Sequence, residues 1–171
     1  MTGAELLLVV VTLQRIGELV VARHNMRKLM ARGAIEVGSG HYPLIVALHT
    51  AWLLSLWLFG RHQPVNVVAL ALYIALQGLR CWVLWTLGSR WTTRIIVLPG
   101  APLVAAGPYR LMSHPNYVVV VGEIAVLPWT LGLPWLAIVF TVLNAAVLAI
   151  RLRAETRALA VFHQPNTADP P

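Results

Sequence analysis

Apolar residues fall along the chain in five long runs, Ala4–Ala22, Pro43–Gly60, Pro64–Leu87, Tyr117–Leu131 and Pro134–Ile150. A helix that crosses a bilayer needs about 20 such residues at a rise of about 1.5 Å each. The fourth run is short and contains Pro128, which is expected to kink it. Only Gly132-Leu133-Pro134 links the fourth and fifth runs, so they are expected to form a tight hairpin. The pattern predicts an all-α integral membrane protein with about five transmembrane helices. Residues 1–171 form one membrane-embedded domain, and Gln164–Pro171, rich in proline, is expected to be a frayed tail.

Composition agrees. The chain is 58% hydrophobic and 11% charged, where soluble domains carry about 25% charged residues. Too few charges are available to cover a soluble surface, which excludes a soluble enzyme and a disordered chain. The single cysteine, Cys81, lies in an apolar run and excludes a disulfide framework. The first run is not read as a cleavable signal peptide. No Lys or Arg precedes it, and Arg15 and Glu18 interrupt it.

The net charge of +7 is distributed as in a membrane protein, not as a nucleic-acid-binding stripe. Arg23, Arg27, Lys28 and Arg32 follow the first run; Arg90, Arg94 and Arg110 follow the third; Arg151, Arg153 and Arg157 follow the fifth. The opposite connections carry only Arg61. Basic loops mark the cytoplasmic side, so the N-terminus is expected outside and the C-terminus inside.

Residues 88–117 fit neither a span nor a soluble domain. Short β-rich pieces are punctuated by Gly and Pro, and the stretch then reads Gly107-Pro108-Tyr109-Arg110, followed by His114-Pro115-Asn116-Tyr117. A long polar-aromatic loop in so small a membrane protein is more often functional than connective. Arg151 and Glu155 are four residues apart and share a helix face. If that helix continues the fifth span into the cytosol, carboxylate, guanidinium, imidazole and phenols converge on one cytoplasmic pocket.

Gly107-Pro-Tyr-Arg, then His114-Pro-Asn-Tyr117, an apolar hairpin and Arg151-x-x-x-Glu155 resemble the isoprenylcysteine carboxyl methyltransferase family, in its short bacterial branch. Gln14, Arg15 and Glu18 in the first run match that branch too. The resemblance implies an S-adenosylmethionine-dependent methyltransferase in the bacterial plasma membrane with its cofactor in a cytoplasmic loop. A lipid-like acceptor would enter from the bilayer. It places the cofactor against Gly107, Pro108, Tyr109, His114, Asn116, Tyr117 and Glu155, with His114, Arg151 and Glu155 as the catalytic set. Two positions depart from the family pattern: Ser113, where Arg often precedes His-Pro, and Thr156, where a second glutamate is usual.

The chemistry of these residue types is compatible. A sulfonium cation suits aromatic faces such as Tyr109 and Tyr117, and Arg151 suits a carboxylate. A carboxylate acceptor needs no general base, whereas a phenol does, and His114 is then the natural candidate. The favoured acceptors are alkylpyrones or alkylresorcinols over isoprenylcysteine. A phospholipid-type N-methyltransferase and a non-enzymatic transporter or scaffold are the competing readings. The chain lacks a Gly-x-Gly-x-x-Gly motif and metal-ligand spacing at His24, His41, His49, His62 and His163.

Each residue also has a plainer role. His114 caps or pins its loop, Tyr109 and Tyr117 belong to an interfacial belt, and Glu155 forms a surface ion pair. For Arg15 and Glu18 packing is favoured over a share in the pocket. Arg80 and Glu123 are read as a buried structural pair rather than catalytic groups. The seven tryptophans, Trp52, Trp57, Trp82, Trp85, Trp91, Trp129 and Trp135, are assigned to belt or core.

Overall fold

A computed structural model describes residues 1–162, with side-chain surroundings through Arg157. His163 and the expected frayed tail lie outside the described residues. Five helices follow the five apolar runs: α1 (Gly3–Met30), α2 (Tyr42–Gly60), α3 (Val67–Leu87), α4 (Pro115–Thr130) and α5 (Pro134–Phe162). Three of them are long and apolar enough to cross a membrane, within Ser39–Gly60, Val67–Arg90 and Pro134–Arg157. Charged Arg15 and Glu18 interrupt α1, and α4 has 16 residues, so neither reaches that standard by length and composition.

Local signals explain the helix limits. Thr2 caps α1 in a reciprocal capping box with Glu5. The Asn66 side chain accepts from the backbone N–H groups of Val68 and Ala69, which starts α3 two residues beyond Pro64–Val65. Helix α4 runs through Pro128 and ends two residues later; Gly132, at φ 65°, then reverses the chain into α5. The Thr2 hydroxyl donates to the Arg61 carbonyl at 2.8 Å, and the Asn66 N–H donates to the Thr130 carbonyl at 2.8 Å. These bonds tie the α2–α3 connection to the start of α1 and the end of α4.

The fold is mostly helical, but the all-α expectation misses a small antiparallel ribbon. Strand β1 (Ile35–Val37) pairs with β2 (Ile95–Val97), placing Ile35 opposite Val97 and Val37 opposite Ile95. Residues after α1 and after α3 thereby satisfy backbone groups that loops would leave unpaired. Arg94 fastens the ribbon by donating to Glu36 at 2.6 Å while its guanidinium lies 4.1 Å from the Tyr42 ring centroid.

One apolar core joins Leu8 and Val11 of α1, Trp52 and Leu56 of α2, Ile124 and Leu127 of α4, and Leu136 and Phe140 of α5. The outer faces are apolar as well. Leu54, Leu58, Val68, Trp85 and Ile138 are all more than 60% exposed, as expected of surface that meets lipid rather than water.

A polar knot crosses this apolar frame. Glu123 of α4 is fully buried and accepts from Arg15 at 2.6 Å, from Gln77 at 2.6 Å and from two nitrogens of Arg80, one of them Nε at 2.7 Å. Glu18 accepts from Arg15 at 3.1 Å, Arg80 at 3.0 Å and Gln14 at 2.9 Å, and Gln14 donates also to Gln77 at 2.7 Å. Two guanidiniums and two carboxylates leave the knot neutral. The Arg80–Glu123 pairing read from sequence is present, and Arg15–Glu18 proves part of the same unit.

Removing one member of a buried ionic cluster strands its partners and costs about 3–5 kcal/mol. Glu123→Ala is therefore expected to lower stability by about that amount, measured by reversible SDS-titrated unfolding in mixed micelles. A loss below about 1 kcal/mol, typical of exposed pairs, would show that the knot does not hold α1, α3 and α4 together.

Candidate functional site

The loop between α3 and α4 is shaped by a glycine and by stacking. Gly107 opens a short 3-10 turn, Gly107–Arg110, at φ 54°. A Cβ there would lie 2.4 Å from the Thr86 hydroxyl oxygen and 3.1 Å from the Trp82 indole nitrogen. The turn therefore presses against α3 more closely than any side chain permits. Pro108 is buried beside it, and Tyr109 packs against Ala22, Val83 and Trp91. Burial, with the Glu155 charge behind it, pushes the Tyr109 phenol up to about 12, so it remains protonated at neutral pH.

His114 begins α4 without making a capping bond through its side chain. Its ring stacks on Tyr117 with centroids 5.2 Å apart and planes 18° apart. Tyr117 in turn donates its hydroxyl proton to Glu155. Arg151 Nε donates to the same hydroxyl oxygen at 3.1 Å, and its guanidinium carbon lies 5.6 Å from the Tyr117 ring centroid. A further Arg151 nitrogen donates to the Thr93 carbonyl at 2.8 Å. Helix α5 does continue past Ile150, so Arg151 and Glu155 face the loop from one helix side.

A cavity of about 420 Å³ opens beside this group, within the roughly 300–1,000 Å³ usual for small-molecule sites. At one end are Asn116, Tyr117, Arg151, Tyr42 and Trp91; at the other are Thr12, Leu53 and Trp57. Arg15, Glu18, Arg80, His49 and Asn144 line the stretch between them. Among the described residues, Asn116 Oδ1, Asn144 Nδ2 and the indole nitrogens of Trp52 and Trp91 are buried without a hydrogen-bond partner. Four orphaned polar atoms in residues of the cavity lining are costly unless a ligand or water meets them.

The sequence-predicted residues thus divide. Asn116, Tyr117 and Arg151 reach the cavity, with Glu155 bonded to Tyr117 and His114 stacked on it. Gly107, Pro108 and Tyr109 shape the loop from the α3 side and do not line the cavity. Sequence reasoning gave no role to His49, Trp52, Trp57 or Trp91, nor did it single out Asn144, and it favoured packing alone for Arg15 and Glu18. Charged residues within an apolar run were the available signal, since such groups usually face a cavity or a partner. Here Arg15, Glu18 and Arg80 do both.

Fold and site together define a helical membrane protein with a ligand-sized cavity beneath a loop held to the last helix. The profile of the isoprenylcysteine carboxyl methyltransferase (ICMT) family matches residues 68–161, and the chain belongs to that family. It is 40% identical over 162 residues to the uncharacterized protein YpbQ of Bacillus subtilis (strain 168), covering 92% of this chain and 96% of the relative. An uncharacterized protein of Haemophilus influenzae (strain ATCC 51907 / DSM 11121 / KW20 / Rd) is 24% identical over 144 residues, covering 81% and 83% respectively. No solved structure matches. The family match spans most of α3, the loop, α4 and nearly all of α5, whereas α1 and α2 complete the cavity from outside it.

Gly107→Ala forces both an unfavourable φ and a clash with Thr86, at a cost of about 1–3 kcal/mol. The expected result is a loosened loop: faster proteolysis between residues 98 and 113, with helical content by circular dichroism unchanged. Protection equal to wild type would show that the turn does not depend on its glycine.

Proposed function

We propose that this ICMT-family protein is an S-adenosylmethionine-dependent O-methyltransferase. It acts on the polar end of a lipid-like acceptor such as an alkylpyrone, an alkylresorcinol or an isoprenylcysteine. The observation that carries the reading is the cavity itself. One end presents Asn116, Tyr117 and Arg151, the middle is lined by Arg15, Glu18, Arg80, His49 and Asn144 among apolar side chains, and apolar surface leads out to a rim of Ile16, Leu19, Val46 and Leu54 between α1 and α2. All four rim residues are exposed, which gives a lipid tail a route from the bilayer into the cavity.

The residues fit the donor. Asn116 Oδ1 and Trp91 Nε1 offer an unused acceptor and donor of the kind an adenosine ring and ribose satisfy. Arg151 matches an amino-acid carboxylate, and Glu155 an ammonium or ribose hydroxyl. When bound, S-adenosylmethionine supplies a methyl group on a sulfonium cation. The chain's own contribution is alignment and dryness: Tyr117, pinned by Glu155 and Arg151, fixes one wall, and the apolar cavity excludes water. Holding two reactants in line replaces a bimolecular encounter and can supply much of the acceleration.

The five-helix arrangement is read as five spans, N-terminus outside and C-terminus and donor end cytoplasmic. The ten basic residues beside the ribbon and loop support that orientation.

Calorimetric titration with S-adenosylhomocysteine tests the reading. Saturable binding by wild type is expected, weakened at least tenfold by Glu155→Gln, which removes the carboxylate charge, and by Tyr117→Phe, which removes the hydroxyl that Glu155 and Arg151 hold. His114→Ala removes only a stacking face and is expected to cost less, about 0.5–1.5 kcal/mol. Absence of binding by folded wild type, with and without pentadecylresorcinol present, would overturn the donor site.

A further inference from the structure

His49 lies two turns along α2 from Tyr42, about 10 Å further from the Arg151 end at 1.5 Å per residue. Asn144 lies two turns before Arg151 on α5, at the same distance from that end. Both line the cavity, together with Arg15, Glu18 and Arg80. Nδ1 of His49 lies 2.9 Å from the Ile45 carbonyl oxygen. A carbonyl only accepts, so in the neutral ring Nδ1 carries the proton and Nε2 holds the lone pair. Among the described residues, Nε2 has no protein partner.

The charges around it point to the kind of group it meets. Arg15 and Arg80 are matched by Glu18 and Glu123, and every hydrogen bond in that knot is between its own members or with Gln14 and Gln77, while the Arg15 guanidinium also lies 6.0 Å from the Trp52 ring centroid. Arg151 is engaged by Tyr117 and Thr93 at the other end. The middle of the cavity therefore offers no uncommitted cation to an ionised carboxylate, but it does offer a basic nitrogen to a neutral hydroxyl.

We propose that His49 is a catalytic residue, the proton acceptor for a neutral hydroxyl on the methyl acceptor, seated between α1, α2 and α5. This rests on the methyltransferase reading above. As the acceptor oxygen takes the methyl group from the donor sulfonium, the carbon–sulfur bond breaks and leaves a neutral thioether. The O–H bond breaks in the same step and its proton passes to Nε2, so the positive charge moves from sulfur to the imidazolium. The role assigned to His114 from sequence passes to His49, because His114 is stacked outside the cavity lining.

Two measurements test this. In the first, ¹⁵N-histidine NMR of wild type follows the His49 Nε2 resonance, assigned in a chain whose other histidines except His114 are replaced by glutamine. The resonance is expected to shift on adding pentadecylresorcinol and to stay in place with its dimethyl ether, which has no proton to give. In the second, His49→Gln is expected to lower kcat with pentadecylresorcinol by about 100-fold, the lower end of general-base effects, with KM changed little. A long-chain carboxylate acceptor, already ionised, is expected to lose less than about tenfold. Binding of S-adenosylhomocysteine by His49→Gln within threefold of wild type reports an intact fold. An Nε2 signal indifferent to both ligands, or a resorcinol kcat within threefold of wild type, overturns the proposal. Should wild type fail to bind S-adenosylhomocysteine, the donor reading falls, and the NMR comparison still decides whether His49 receives a hydroxyl.

Discussion

Everything in this structure is arranged around a neutral knot of four charges inside an apolar helix bundle. An unpaired carboxylate or guanidinium in such surroundings costs several kcal/mol. Glu123 is therefore acceptable only because Arg15, Gln77 and Arg80 all reach it. Those partners come from α1 and α3, so satisfying one side chain of α4 fixes the placement of two further helices. Hydrophobic packing alone gives no such selection, because the outer faces of the helices are as apolar as the inner ones. In lipid, apolar contact does little to choose one neighbour over another.

The cavity is a consequence of the same knot. Glu18, Arg15 and Arg80 hold α1 against α3 and α4, while α2 leans on α1 through Trp57, whose indole donates to Thr12 at 3.0 Å. Space is left between α1, α2 and α5, with one polar end and one apolar rim. The ribbon β1–β2 and the bond between Tyr42 and Thr93 bring the loop over the polar end. Arg151 then joins α5 to that loop through Thr93. Asn116, Tyr117 and Arg151 at the polar end lie within the ICMT-family match, whereas the rim residues Ile16, Leu19, Val46 and Leu54 of α1 and α2 lie outside it.

Much of this was legible in the sequence where the physics is local. Runs of apolar residues gave five helices, because backbone polarity in an apolar medium leaves few alternatives. Arg151 and Glu155 met the 107–117 loop because a four-residue spacing fixes a common helix face. Asn116 and Tyr117 line the cavity, while Gly107, Pro108 and Tyr109 set the turn of the loop beside it. The β1–β2 ribbon was half visible, its second strand sitting in a β-rich stretch and its first hidden in a basic loop. His49 was invisible, since a single histidine in an apolar run carries no spacing signal.

The sequence by itself determined that the chain belongs in a membrane, where its helices lie, and which face of the last helix carries its charges. Those properties depend on residues close together in the chain. Only the tertiary structure decided that Arg15, Glu18, Arg80 and Glu123 are one unit, that Trp91 and Asn144 face the same cavity as Arg151, and that His49 rather than His114 stands on its wall. Those juxtapositions join residues separated by up to 108 positions along the sequence. Charge compensation and helix packing choose them, and no local periodicity records that choice.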